Sequence, residues 1–348
     1  MTDLDERIVL TLREHAEGPV DGDRLLVCAV RRGRTRVRRR RVAAGATLSV
    51  VALIGAGVAV GPMGRLPGLD HAVTPGLAET TVAFLPPSVD GAPGAAARPD
   101  QIGRDPALLH IGLAPGGPRF LEWNVAGGIE SAKLEVGGRT VTFDLTSADV
   151  LRSVSPVNMP PLEGPLGNSY DGAVVREDGL DGVPTWRRYW QPAPGVYAGA
   201  SVSGPDKEPL HDVDAALRLD RAYACAGPLR LTELPAGAEF SRCWMVVSAF
   251  PAAYAVILHV NDDHRSVGAS VELQYANTTM IADPPANRTI GGRPAYLDPA
   301  GERLELLDIP RAQLSVAFNY EQSFSEAEAT TVLLGARVAE HLDQPATW

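Results

Sequence analysis

Lysine is nearly absent: Lys133 and Lys207 are the only two, and arginine carries the remaining positive charge. Cysteine is scarce, with Cys28, Cys225 and Cys243 the whole complement. No Cys-x-x-Cys exists, so nothing suggests a dithiol redox catalyst. The chain also lacks Gly-x-Ser-x-Gly, His-Glu-x-x-His, a phosphate-binding loop and Gly-x-Gly-x-x-Gly. The common motifs of serine hydrolases, zinc peptidases, nucleotide hydrolases and dinucleotide enzymes are therefore missing. The expectation is a protein that is not an enzyme, with no catalytic residue, no cofactor and no metal site.

Charge is divided unevenly. The whole chain has a net charge of −10. Residues 1–63 hold 11 Arg against 7 Asp and Glu, so the remaining residues carry net −14. An acidic domain of that kind makes a poor nucleic-acid partner, because phosphate contacts need clustered cations.

One long apolar run stands out. Val42–Met63 has 22 residues and no charge. A helix of that length spans about 33 Å, enough for a bilayer core. Eight arginines precede it: Arg31, Arg32, Arg34, Arg36, Arg38, Arg39, Arg40 and Arg41. They set topology and meet anionic headgroups. The expected location is thus the cell membrane, single-pass, with residues 1–41 cytoplasmic and the rest extracellular. A cleaved signal peptide fits less well, because its head is shorter and its apolar core has only 7–15 residues. In the tail, Leu4, Ile8 and Leu12 recur at helical spacing, and Leu25 and Leu26 extend the apolar stripe. That stripe reads equally as a docking face for a partner and as a surface-lying anchor.

Residues 64–105 are rich in Pro, Gly and Ala and read as a stalk. From residue 106 the pattern alternates, with strands expected at 108–113, 120–125, 132–136, 140–145, 185–190, 196–202, 229–234, 243–250, 254–260, 268–275, 293–297, 303–308 and 313–319. Helices are expected at 212–223 and from a Ser325 cap to about Leu342. Gly182-Val-Pro-Thr-Trp186 and Gly292-Arg-Pro-Ala-Tyr296 look like copies of one another. The expected fold is α+β: a transmembrane helix, then two repeated subdomains, 106–226 and 227–348, each an antiparallel sheet with a C-terminal helix.

The turn at Gly291–Tyr296, its following strands and the helix opened by Ser325-Glu326-Ala327 resemble the outer domains of actinobacterial-type single-pass membrane proteins regarded as sigma-factor regulators. The resemblance covers the architecture and residues 291–342. It implies control of a sigma factor through the inner tail and a binding role for the outer domain. The zinc motif of anti-sigma domains, His-x3-Cys-x2-Cys, is missing, since His15 and Cys28 stand at the wrong spacing. A second reading is a cell-envelope structural or ligand-binding protein whose tail only sets topology. A third is an anchored envelope hydrolase with dispersed catalytic residues.

Three smaller features complete the reading. Cys225 and Cys243 close a short loop and are expected to form a disulfide on the oxidising side of the membrane. His259, Asn261, Asp262, Asp263 and His264 form the densest polar cluster, which suits a turn better than a metal. Trp186, Tyr189, Trp190 and Tyr197 gather around one strand pair and read as core more readily than as a ligand groove.

Overall fold

The computed structural model describes residues 84–153, 159–162, 170–178, 182–262, 268–277, 284–318 and 324–348. The dominant element is one antiparallel sheet of thirteen strands. Its first half contains β4 (Arg119–Ala126), β5 (Ile129–Val136), β6 (Arg139–Ser147), β7 (Asp171–Asp178), β8 (Pro184–Ala193) and β9 (Val196–Ser203). Its second half contains β13 (Ala238–Val246), β14 (Ala253–Asp262), β15 (Ala269–Ala276), β16 (Arg288–Ile290), β17 (Arg293–Leu297), β18 (Arg303–Leu306) and β19 (Ala312–Ala317). The spatial order is β16-β17-β18-β19-β15-β14-β13-β4-β5-β6-β9-β8-β7.

Both halves follow one plan. A three-strand meander is followed by an outer one, of three strands in the first half and four in the second, whose last strand returns to the third strand of the inner meander. A helix comes next: α2 (Glu208–Ala216) in the first half, α3 (Glu326–Gly335) in the second. Each helix runs into a short strand. These are β10 (Leu217–Arg218), paired with β3 (Gly112–Leu113), and β20 (Ala336–Val338), paired with β12 (Leu229–Leu231). The halves meet where β4 pairs with β13, Asn124 opposite Trp244.

This corrects the expected α+β class and the expected two subdomains. The described chain is mostly sheet, and the sheet is continuous across the proposed boundary at residue 227. The physical reason is in β4 and β13. Trp123, Val125, Cys243 and Met245 alternate toward one buried face, an apolar surface that separating the halves would expose to water. Helices are few and short. The third, α1 (Ala148–Ser153), is six residues long.

Helix ends account for two further differences. The helix expected at 212–223 stops at Ala216, because Leu217 is extended and pairs with Leu113. The helix expected to reach Leu342 stops at Gly335, where a Cβ would meet the Glu233 carbonyl oxygen at 2.5 Å. Beyond it, Ala336, Arg337 and Val338 alternate with strand period. The start of α3 is as expected: the Glu328 N–H donates to Ser325 Oγ and the Ser325 N–H to Glu328 Oε2.

The core lies between the sheet and the two helices. One register row, Ala295–Leu306–Leu314–Leu273–Val256–Met245–Trp123–Ala132–Phe143–Ala200, crosses ten strands on that face. Leu210 and Val213 of α2 and Val332 and Leu333 of α3 cover it. The next row, on the opposite face, is mixed: Glu272, Asn124, Ser131 and Asp144 are polar, with Ile257 and Trp244 between Glu272 and Asn124.

The segment expected to be a stalk is packed from residue 84 onward. Phe84 is buried against Trp123, with ring centroids 5.6 Å apart. β1 (Ser88–Pro93) pairs with β11 (Arg221–Ala224), which also pairs with β2 (Leu108–Leu109). Ile102 is fully buried. Proline and glycine here serve tight packing, not extension: a Cβ on Gly94 would lie 2.3 Å from Arg221 N and Leu219 O.

The expected membrane location is also corrected. Among the described residues no helix is long and apolar enough to cross a membrane. The supposed span, Val42–Met63, lies outside those residues, as do Leu4, Ile8, Leu12, Leu25, Leu26 and the eight arginines at positions 31–41. The single-pass assignment is withdrawn.

Candidate functional site

The expected disulfide is present. Cys225 and Cys243 are bonded, with Cα atoms 6.3 Å apart, and both are fully buried. Trp123 Nε1–H donates to the Cys225 carbonyl at 3.0 Å, so the bridge lies beneath the strand that joins the two halves.

The four aromatic residues divide between the sheet faces. Trp186 and Trp190 alternate toward the packed face. Trp190 lies 5.9 Å from Phe143, and Trp186 Nε1–H donates to the Gly204 carbonyl. Tyr189 and Tyr197 point the other way, where Tyr170 packs against both. They do not form one groove. In the polar cluster, His259 and Asp262 stand on β14, while Asp263 and His264 fall outside the described residues. Burial, with Arg242 nearby, holds the His259 imidazole below its ordinary pKa. Among the described residues no group of three His, Cys, Asp or Glu is placed to hold a metal. His211 is exposed on α2. His110 is fully buried, with Nδ1 2.6 Å from Glu130 Oε1.

A cleft that the sequence reading missed lies in the second half. Its volume is about 380 Å³. The wall on one side is the β18–β19 turn, Asp308 to Arg311, with Arg293 of β17. The wall on the other side is β20 and its continuation through Glu340 to Leu342. Three arginines line it in a chain otherwise strongly acidic.

The three are held differently. Arg293 grips Asp308 with both Nε and Nη2, at 2.5–2.9 Å. That fork holds the Asp308 carboxyl below the usual carboxylate range. Arg337 donates from Nη1 to the Leu334 carbonyl at 2.7 Å, which leaves most of its five N–H groups for other acceptors. Arg311 is half exposed, with Asp343 at 3.8 Å, too long for a good hydrogen bond. Its backbone sits at φ +59°, the left-handed region. A non-glycine residue there costs about 1 kcal/mol or more, so an arginine at this turn carries a backbone cost that glycine would not.

The β20 wall also offers backbone. Antiparallel alternation places the ladder bonds of β20 at every second residue. Thr232 N–H donates to the Gly335 carbonyl, and Ala339 N–H to the Pro228 carbonyl, so Arg337 takes the ladder position between them. Val338 N–H and C=O therefore point away from β12, on the side of the cleft. Among the described residues no backbone group meets them. The arrangement is a short open strand edge beside two available guanidinium groups. It suits recognition of an extended acidic peptide, in which backbone bonds give affinity and charge gives direction. Its lining holds two carboxylates, Asp308 and Glu340, and no Ser, Cys, His or Lys.

No family model matches the chain. No curated protein matches it. Among solved structures the chain is similar to MucB in complex with MucA(peri), at 13% identity and a TM-score of 0.22, over 70% of this chain and 97% of that one. It is similar at 13% identity to MucB in the Pseudomonas aeruginosa MucA/MucB complex, with a TM-score of 0.20 over 70% and 96%. It is likewise similar to MucB alone, at 13% identity and a TM-score of 0.18 over 70% and 96%. Likenesses of that size carry no argument about this chain.

Proposed function

We propose that this protein is a non-enzymatic binding protein whose arginine cleft docks a polypeptide partner, in the service of regulation. The observation that carries the reading is the open edge at Val338 set between Arg311 and Arg337. The test is a photo-reactive amino acid at position 337 of the full-length protein in its own cells, with position 140 on the opposite sheet face as control. The expected result is a discrete adduct with a second polypeptide from 337 and none from 140. Equal labelling from both positions, or none from either, would rule the cleft out as the docking surface.

The finer reading, control of a sigma factor through residues 1–41, rests on the family resemblance and on the apolar positions Leu4, Ile8, Leu12, Leu25 and Leu26. A few buried apolar side chains dominate a small interface. Each contributes about 1.5–3 kcal/mol, so Ile8→Asp with Leu12→Asp should weaken capture of a purified sigma factor by more than about tenfold. Equal capture by wild type and double variant would end that reading.

A further inference from the structure

The two halves of the sheet carry the same cleft, and in the first half the chain fills it. The equivalence is atomic. Ala114 N–H donates to the carbonyl of Ala216, the last residue of α2, and Thr232 N–H to the carbonyl of Gly335, the last of α3, both at 2.8 Å. Arg218 Nη1 donates to the carbonyls of Ala215 and Leu217, and Arg337 Nη1 to those of Leu334 and Ala336. Ala148 N–H donates to the Gly195 carbonyl, and Ala276 N–H to that of Arg311. So Leu219 corresponds to Val338, and the turn Pro194-Gly195 to Pro310-Arg311. Gly195 and Arg311 share the left-handed backbone, at φ +79° and +59°.

In the first half the strand edge is occupied. Ala96 N–H donates to the Leu219 carbonyl at 3.0 Å. Gly94 lies so close to residues 219–221 that no side chain fits. Pro99 reaches the far wall, where a Cβ on Gly195 would stand 3.3 Å from its Cγ. The span from Gly94 to Pro99 thus bridges the strand edge and the hairpin turn. Between Val338 and Arg311, the matching places of the second half, lies the 380 Å³ cleft.

We infer that the second cleft binds an extended segment of a partner polypeptide in the manner of Gly94–Pro99: small residues against the Val338 edge, with one N–H donated to the Val338 carbonyl, and a carboxylate where Pro99 stands in the first half. The carboxylate follows from the difference at the hairpin turn, arginine at 311 where the first half has glycine at 195. This rests on the proposed docking function and specifies its ligand.

The probe is a fluorescein-labelled peptide, Pro-Gly-Ala-Ala-Ala-Glu-Glu-Asp, titrated into the full-length protein and read by anisotropy. The expected Kd is on the order of 100 μM. The same peptide with lysine for its acidic residues should bind at least about tenfold more weakly, because charge-assisted bonds are lost. Two variants locate the contact. Arg311→Gly removes the guanidinium while relieving the left-handed backbone, so it should fold at least as well as wild type and lose about tenfold in affinity. Val338→Pro puts a ring carbon in place of the outward N–H, on the edge the peptide must approach to reach the Val338 carbonyl and at a position where proline is tolerated, and should weaken binding while Val338→Leu does not. No binding by wild type, or equal binding by wild type and Arg311→Gly, overturns the inference. So does probe binding that appears only once a self-associated form has been dissociated by dilution, since that identifies a second copy of the chain as the occupant. An adduct at position 337 with an indifferent peptide would leave docking intact and refute only this ligand.

Discussion

Glu130→Ala should lower the unfolding free energy by about 3–5 kcal/mol and the melting temperature by on the order of 10 °C. The carboxylate is fully buried on β5. Its Oε1 accepts the Gly103 N–H at 3.1 Å and lies 2.6 Å from His110 Nδ1, and its Oε2 accepts the His110 N–H at 2.6 Å. Alanine leaves two buried backbone donors and a buried imidazole without an acceptor, and each such group costs about 1–3 kcal/mol. His110 Nε2 already has no partner, so no second acceptor is at hand. Glu130→Gln keeps one acceptor oxygen and the shape, and should lose clearly less than alanine. Urea melts of the three proteins decide it. An alanine variant within about 1 kcal/mol of wild type would show that the carboxylate does not pin residues 103–110 to the sheet.

Breaking the Cys225–Cys243 bridge should cost about 3 kcal/mol, the chain-entropy value for a loop of this length. The bond spans a sequence separation of 18 residues. Cys225→Ala with Cys243→Ala removes it without leaving a thiol, and the two small cavities add to the loss. The measurement is the denaturation midpoint of the double variant against wild type, with alkylation of unreduced wild type as a second readout. One reactive thiol per chain, Cys28, is expected. Three reactive thiols, or an unchanged midpoint, would contradict a stabilising bridge.

The two results bear on how far the residues alone disclose this molecule. Strand texture was readable because alternation is local: Ala132–Val136 and Thr140–Leu145 announce themselves through the Gly137-Gly138 turn. The Ser325 cap was readable for the same reason. The joining of two halves into one sheet was not, because β4 and β13 carry no mark of being partners until both are placed. Repetition was visible, but the pair of Gly-x-Pro turns misaligns it. Pro184 opens β8, the fifth strand from the centre, whereas Pro294 lies in β17, the sixth. Alignment on the helix ends at Ala216 and Gly335 brings Arg218 onto Arg337 and Gly195 onto Arg311. The cleft arginines were invisible because each stands alone in sequence, and the left-handed backbone of Arg311 has no signature in the letters Pro-Arg.

The junction of β4 with β13 also has a kinetic meaning. Each half can form its meander from neighbouring residues, but Asn124 and Trp244 must find each other across most of the domain. Loop closure over that distance comes before any reward from pairing, so the junction belongs to the slow, non-local part of folding. Until it closes, two long strands present open edges to other chains. Glu122 and Arg242 sit on those strands, and a charge on a strand that waits for its partner discourages the wrong one. On this view the centre of the sheet, closed on both sides in the finished protein, is a place exposed to error while the protein is being made.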